Sequence, residues 1–319
     1  MKVNDDDASL KIIISPITGG TDVIFIRRID CATLISEYKK IFSIDVSNLM
    51  KDHQELFIYK CNESGFHFYY PFDVIGDSTF YHHLEDNDWY YMPSKWEFDE
   101  ALKFIKKDST ILEIGSAKGD FLIKTSQQIQ GVSCTGLELN KDAAYTAKNR
   151  GVNVLIESST EHVNNHLLSY DVVASFQVLE HIPTPIDILK DAIKMLRTGG
   201  LLILSVPDNS VRSADSIFVK KDNILNMPPH HQGLWDIPSL TFLQKVLPIK
   251  LEYLAIEPAT ASHHSNSYRG LMKANLILRF GKIFGFGIYL VGRPFYDHAL
   301  RHLNQYLPAH SVLTIFRKI

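Results

Sequence analysis

Cysteine is scarce and scattered. The 319-residue chain has three, Cys31, Cys61 and Cys134. They form no CxxC pair and no disulfide framework, a usage that fits a reducing cytoplasm. Basic runs are missing as well. Lys+Arg 33 against Asp+Glu 36 leaves a formal charge of −3, without the clear stripe that a dedicated nucleic-acid binder carries. The opening residues MKVNDDDASLKIII have neither the basic start nor the apolar core of a signal peptide. The most apolar late stretch, Leu276 to Phe295, is interrupted by Arg279, Lys282, Gly285, Gly287 and Arg293, which makes a poor membrane span. Internal repeats and low-complexity tracts are absent. These absences argue against a secreted disulfide scaffold and a nucleic-acid partner. They lead us to expect a cytoplasmic chain without stable membrane insertion.

What is present divides into regions of different character. Residues 1–95 are aromatic-rich with short β-like runs, Glu55–Tyr59 and Phe66–Tyr70, and read as an accessory region on the substrate side. Residues 96–260 alternate strands and helices. Strand patterns fall at Ser109–Ile114, Ser133–Leu139, Val152–Glu157, Tyr170–Phe176 and Leu201–Val206. Helix patterns fall at Phe121–Gln130, Asp142–Asn149 and Pro185–Leu196, the last with Gly199-Gly200 as its stop signal. A helix over Ser239–Val246 and a strand over Leu251–Glu257 follow. Residues 261–310 read as a helical insertion or cap, and 311–319 as the final core strand. Repeated strand–helix units with apolar strands predict a parallel sheet covered on both faces. The predicted class is α/β, a Rossmann-like, doubly wound, seven-stranded sheet whose sixth and last strands form an antiparallel hairpin.

The segment Ile111-Leu112-Glu113-Ile114-Gly115-Ser116-Ala117-Lys118-Gly119-Asp120 sits where the first core strand turns into a helix. Ligands of open α/β sheets bind at the carboxyl ends of strands, against helix N-terminal amides. A dinucleotide fingerprint would read Gly-x-Gly-x-x-Gly. Here Ala117 replaces the second glycine and Asp120 stands at the third, which disfavours a pyrophosphate cradle. The acid-x-Gly-x-x-x-Gly pattern instead resembles motif I of class I methyltransferases, which usually have glycine where Ala117 stands. A second acid, Glu138, closes the next strand (Thr135-Gly136-Leu137-Glu138-Leu139), where a carboxylate can accept ribose hydroxyls. Tyr170–Ile182 (YDVVASFQVLEHI) and Thr198–Asp208 (TGGLLILSVPD) resemble later blocks of the small-molecule methyltransferase families. The four blocks together cover about 100 residues, in the family's order.

The resemblance implies S-adenosylmethionine as cofactor. It implies contacts from Glu113, Gly115, Ser116, Ala117, Gly119, Asp120, Glu138, Leu139, Ser158, Phe176, Gln177 and Val178. Tyr90, Tyr91 or Trp96 is the expected aromatic cover, with ordinary core packing as the alternative, since Tyr90–Phe98 (YYMPSKWEF) resembles a block that sits over the cofactor in a bacterial subgroup with uncharacterised or glycan-related roles. Asn226–Trp235 (NMPPHHQGLW) resembles the PPHH…W segment of that subgroup, with Trp235 as a flat apolar wall.

The motifs also exclude chemistries. Adenine or glutamine methylation goes with an (Asp/Asn)-Pro-Pro-Tyr block, where this chain has Ser175-Phe176-Gln177-Val178. Cytosine C5 methylation needs a cysteine nucleophile there, and Cys134 lies on another strand. No metal site is expected. Tyr59–Gly65 resembles a ribbon knuckle without its second cysteine, and Cys61 reads as a strand residue. Among 14 histidines, three stand beside the motifs as candidate bases or acceptor ligands. They are His181, in a Glu-His pair like the one that lies near the active site of ubiquinone-type O-methyltransferases and can take part in metal binding there, although Gln177 stands here where another acid could be, and His230 and His231. Loop-ordering roles remain open for all three. Ser262–Arg269 reads as a polar linker with groups suited to a sugar or phosphate. The helical insertion from Tyr268 to Leu307 reads as a substrate lid, an oligomer contact or a weak membrane-surface contact.

The expected activity is methyl transfer to a hydroxyl of a small molecule, with a sugar, sugar nucleotide or surface glycan favoured. A quinone or lipid-like acceptor and a non-catalytic scaffold are the alternatives. A homo-oligomer is compatible with the sequence.

Overall fold

The computed structural model describes residues 12–85, 93–209, 224–258, 265–303 and 308–319. The chain runs β1 (Val23–Asp30), α1 (Cys31–Phe42), β2 (Glu55–Cys61), β3 (His67–Tyr70), α2 (Ser78–Glu85) and α3 (Trp96–Leu102). The core follows as β4 (Thr110–Ile114), α4 (Asp120–Gln128), β5 (Ser133–Leu137), α5 (Lys141–Asn149), β6 (Val154–Leu155), α6 (Ser159–His162), β7 (Tyr170–Phe176), α7 (Pro185–Met195) and β8 (Leu196–Pro207). It closes with β9 (Gly233–Leu234), α8 (Ile237–Val246), β10 (Ile249–Pro258), α9 (Ser265–Leu303) and β11 (Pro308–Lys318).

Seven strands form the main sheet in the order β10-β11-β8-β7-β4-β5-β6. β8, β7, β4, β5 and β6 run parallel, while β11 is antiparallel to both β8 and β10. The expected doubly wound sheet with its terminal hairpin is therefore observed. The central strands β4, β7 and β8 are largely apolar because successive side chains enter two separate cores. Leu112, Val173, Leu202 and Leu204 pack into one. Ile111, Val172, Ala174, Leu201 and Ile203 pack into the other.

The Gly199-Gly200 pair departs from expectation. α7 ends at Met195, before the pair, and the glycines lie inside β8. Tyr170 pairs with Leu196 but Val172 pairs with Leu201, so the extra residues bulge out at Gly199, whose φ is 76°. Glycine tolerates that left-handed backbone, and the pair turns the strand instead of stopping the helix.

A smaller antiparallel sheet has the order β1-β2-β3-β9. Its last strand comes from far along the chain, next to the histidine pair. α9 is two helices that meet at Gly281, which has φ 77° and ψ 167°. A Cβ added to Gly285 would lie 2.3 Å from the Leu276 carbonyl oxygen, and Lys273 Nζ sits 4.9 Å from the Phe286 ring centre. In a straight helix residues nine apart are about 13 Å apart, so the second arm folds back on the first as a hairpin. By length and composition Asn275–Ala299 is apolar enough to cross a membrane, and little of it is buried.

Candidate active site

The glycine loop joins β4 to α4 and folds back over the end of β5. The backbone N–H groups of Gly115 and Ser116 both donate to the Leu137 carbonyl, at 2.9 and 3.0 Å. Gly115 holds φ at 75°, and a Cβ there would fall 2.4 Å from Val178 Cγ2. Two reasons thus require glycine at this position: the left-handed backbone, and a side chain from the β7 end that fills the space. A Cβ on Gly136 would meet Ser116 Oγ at 2.4 Å, so glycine on β5 lets the loop lie flat. Ala117, which stands where the resembling family has glycine, also takes a left-handed φ of 46°. Its N–H donates to Glu138 Oε2 at 2.8 Å, and that charge-assisted bond offsets the backbone cost.

Glu138 closes the other side. Its Oε1 accepts from the Asn140 N–H at 2.7 Å, so one carboxylate ties the β4–α4 loop to the β5–α5 loop. Burial pushes its carboxyl up, and the N–H groups of Asn140 and Ala117 oppose that shift. Asp120 accepts from Arg150 Nη2 at 2.8 Å. Glu113 lies beneath the loop, 3% exposed, with its Oε2 lacking any partner. Burial pushes its carboxyl well up. An orphaned acid under a loop that no Cβ can enter suits a ligand with a cationic group. S-adenosylmethionine, with an ammonium and a sulfonium, is such a ligand. Gly115 to Ala117 would face it, Glu138 would take its ribose, and bound there it supplies an electrophilic methyl group.

Gln177 marks the end of β7, with φ 57°. Strained backbone of this kind persists only where surroundings fix it. Here Gln177 Nε2 donates to Ser205 Oγ at 2.9 Å and reaches Ser311 Oγ at 3.3 Å and Glu97 Oε1 at 3.4 Å, tying together β8, β11 and α3. Behind it Phe176 packs edge-on to Phe98, with ring centres 5.1 Å apart, and against Phe121 at 4.7 Å.

The far wall carries the histidines. His181 follows β7 directly. His230 and His231 arrive on the loop before β9, which includes a cis Pro228–Pro229 bond. The accessory region holds that loop. Tyr38 OH donates to the carbonyls of Ile224 and Met227 at 2.9 and 3.0 Å. Tyr69 OH donates to the Asn226 carbonyl at 2.7 Å, and Gln232 Nε2 to the Val74 carbonyl at 2.8 Å. The Gln232 N–H donates to the Glu180 carbonyl at 2.7 Å, which locks the loop to the β7 end. The three imidazole centres lie 4.5–4.8 Å apart. Burial pulls His181 down to about 4, opposed by its hydrogen bond to His230, and pulls His230 well down too. Both rings are therefore neutral at neutral pH. Beside them burial pushes the Glu180 carboxyl up to about 8.

One cavity of about 1360 Å³ joins both walls. Of the described residues expected to contact the cofactor or to serve as bases, all but Gly119 line it, including Trp96, Leu139, Ser158, His181, His230 and His231. Gly119 instead caps α4 from outside the lining, with φ 78°. Trp235 corrects the expectation of a flat apolar wall. It is wholly buried and packs 4.5 Å from the Phe66 ring in the core, because β9 pulls it under the small sheet. Tyr90, Tyr91, Met92 and Ser262–His264 lie outside the described residues. The sequence did not single out Glu97, Tyr81 or Glu180, which also line the cavity. Glu97 and Glu180 stand inside quoted blocks, and the signal for them was an acid in an otherwise apolar context. Tyr81 belongs to no motif.

Residues 89–242 match a family described as a methyltransferase domain. The ubiquinone biosynthesis O-methyltransferase of Hydrogenovibrio crunogenus is 27% identical over 143 residues, 43% of this chain and 58% of that protein. The enzyme of the same name from Aliivibrio fischeri is 25% identical over 125 residues, 37% and 53% of the two chains. The chain thus spans a little over half the length of these relatives. Among solved structures, the Haemonchus contortus phosphoethanolamine N-methyltransferase 2 in complex with S-adenosylmethionine superposes with a TM-score of 0.50. It is 14% identical, and the match covers 76% of this chain and 57% of that one, a likeness of fold. Residues 89–242, just under half of the chain, thus resemble a methyltransferase domain, and the cofactor is S-adenosylmethionine.

Proposed function

We propose that the chain methylates a hydroxyl group, and that the hydroxyl belongs to a phenol or quinol on an apolar carrier. The observation that carries this reading is the meeting of His181, His230 and His231 on the wall opposite the glycine loop, within one cavity. The glycine loop and Glu138 hold the methyl donor. Gln177 fixes the turn between the walls, and the histidines receive the acceptor. Alignment across such a cleft is the main requirement of an in-line displacement.

The strength of the available base chooses between acceptors. A histidine pulled down to about 4 has a ready lone pair but binds a proton weakly. A phenol ionises near ~10, whereas an aliphatic hydroxyl resembles water, near ~15.7. The phenol therefore gives up its proton more readily by roughly six powers of ten, whichever base takes it. The helical hairpin supports an apolar carrier. It lies in the chain between β10 and β11, and Glu257 and Ser311 on those strands line the cavity. Ile283, Phe284, Val291 and Phe295 on it are each more than three-quarters exposed. The matched relatives are named for ubiquinone biosynthesis, which agrees with this acceptor class more than with the sugar favoured by the sequence.

The test is a mass-spectrometric acceptor screen with S-adenosylmethionine. Its arms are a catechol with a prenyl tail, the same catechol without the tail, and a set of sugar nucleotides. The reading expects a gain of one methyl on the tailed catechol, less on the free catechol and none on sugars. Methylation of sugar nucleotides alone would overturn it.

A further inference from the structure

The geometry points to a divalent transition-metal site made by His181, His230 and His231 on the acceptor wall. One ring nitrogen from each of the three lies within 4.8 Å of the others. The residues are 49 positions apart along the chain, so no sequence spacing announces them. The β7 end and the loop before β9 bring them together.

The hydrogen bonds of two of the rings fix which of their nitrogens carry the lone pair. His181 Nδ1 meets the His230 carbonyl oxygen at 2.8 Å, and His230 Nδ1 meets the Leu225 carbonyl oxygen at 2.8 Å. A carbonyl only accepts, so both Nδ1 atoms carry hydrogen and both Nε2 atoms are lone-pair nitrogens. Metal-ligating histidines are oriented in this way, with the second ring N–H held on a backbone carbonyl. Glu180 supplies an independent observation. It is 1% exposed, its Oε2 has no hydrogen-bond partner, and its Oε1 lies 3.9 Å from His181 Nε2. A buried carboxyl oxygen left without a partner beside the His181 ring suits a cation at that place.

The donor set selects the ion. Imidazole suits zinc, iron, cobalt, nickel or copper, whereas magnesium and calcium take oxygen ligands. Metal–nitrogen bonds of about 2.0–2.1 Å place ligand nitrogens about 3.4 Å apart in a tetrahedron, so the rings close by roughly an ångström on binding. Three protein ligands leave an open position, as catalytic zinc sites do. That position faces the cavity that also holds Gln177 and the glycine loop. Resting on the hydroxyl acceptor proposed above, the three imidazoles would hold an ion that supplies Lewis-acid activation of the acceptor oxygen, whose proton would pass to solvent.

The experiment uses the full chain after chelator treatment, with Zn2+ by calorimetry and Co2+ by visible absorption. One Zn2+ per chain is expected, with tetrahedral Co2+ bands displaced by Zn2+ and not by Mg2+. His231→Ala and the milder His231→Gln should each weaken binding by about 100-fold, with far-ultraviolet dichroism reporting that both remain folded. No binding, or binding unchanged in both variants, would overturn the site. Methylation that proceeds in chelator at the same rate removes the ion from catalysis while the hydroxyl reading stands. Metal binding without any methylation of the catechols does the reverse, leaving the site in place and removing the acceptor reading.

Discussion

Gly115→Ala tests whether the glycine loop is held as tightly as its geometry indicates. The added methyl group meets two obstacles. At φ 75° an L-residue costs about 1–2 kcal/mol. The contact with Val178 Cγ2 at 2.4 Å is backed by the Glu180–Gln232 lock just beyond it, so overpacking adds about 1–3 kcal/mol. The expected loss is about 2–5 kcal/mol, read from urea unfolding against wild type. The cavity side of the loop moves with it, so calorimetry should show S-adenosylmethionine affinity falling at least about tenfold. The two costs separate in a cycle. Val178→Ala removes the atom in the way but leaves the backbone as it was. The double variant Gly115→Ala/Val178→Ala should therefore be more stable than the sum of the singles predicts, by about 1–3 kcal/mol. A Gly115→Ala protein of full stability, or strict additivity in the double variant, would refute the close approach.

Glu138→Ala removes the acceptor shared by the Ala117 and Asn140 N–H groups. It should cost about 2–3 kcal/mol and lower cofactor affinity at least about tenfold, and calorimetry giving wild-type affinity would contradict its assigned role. Glu113 addresses pH. Burial raises its folded carboxyl well above the ordinary carboxylate range, with Lys95 opposing the rise and Glu138 and Asp120 adding to it. The folded state then keeps a proton that the unfolded chain releases. Its contribution is fully present below the unfolded value and is lost as pH rises toward the folded value. Glu113→Gln keeps the shape without the titration, so the variant should gain on wild type between pH 5 and 8. The gap widens by at most about 1.4 kcal/mol per pH unit. Urea midpoints that run parallel across that range would show that Glu113 does not titrate there. Glu97 and Glu138 are raised by burial in the same direction, so the variant keeps part of the wild-type slope.

The cofactor side of this chain is legible in its sequence because its chemistry is local. Gly115, Ala117 and Glu138 sit at the ends of two adjacent strands, and the strands announce themselves by apolar runs that serve two cores. Residues 111–138 are enough to place the loop and the acid that ties it. The bulge at Gly199 was misread because a glycine pair after a helix has two local meanings, and only the pairing of Tyr170 with Leu196 and Val172 with Leu201 separates them. Trp235 was misread for a similar reason. A tryptophan beside a histidine pair looks like an active-site wall until β9 is known to join the small sheet.

The acceptor side is not local. His230 and His231 reach His181 because Tyr38 and Tyr69, almost 200 and 160 positions earlier, donate to the backbone of the loop that carries them. The accessory sheet therefore does more than cover the domain. It takes β9 as its fourth strand and thereby fixes the distance between the histidine loop and the end of β7. A change in the accessory region, even one far from the cavity, would move the acceptor wall while leaving the glycine loop in place. Such a division lets the donor side stay constant while the acceptor side varies with the segments around it. It also explains why the cofactor could be read from motifs, whereas the acceptor has to be argued from buried histidines and from an exposed apolar hairpin.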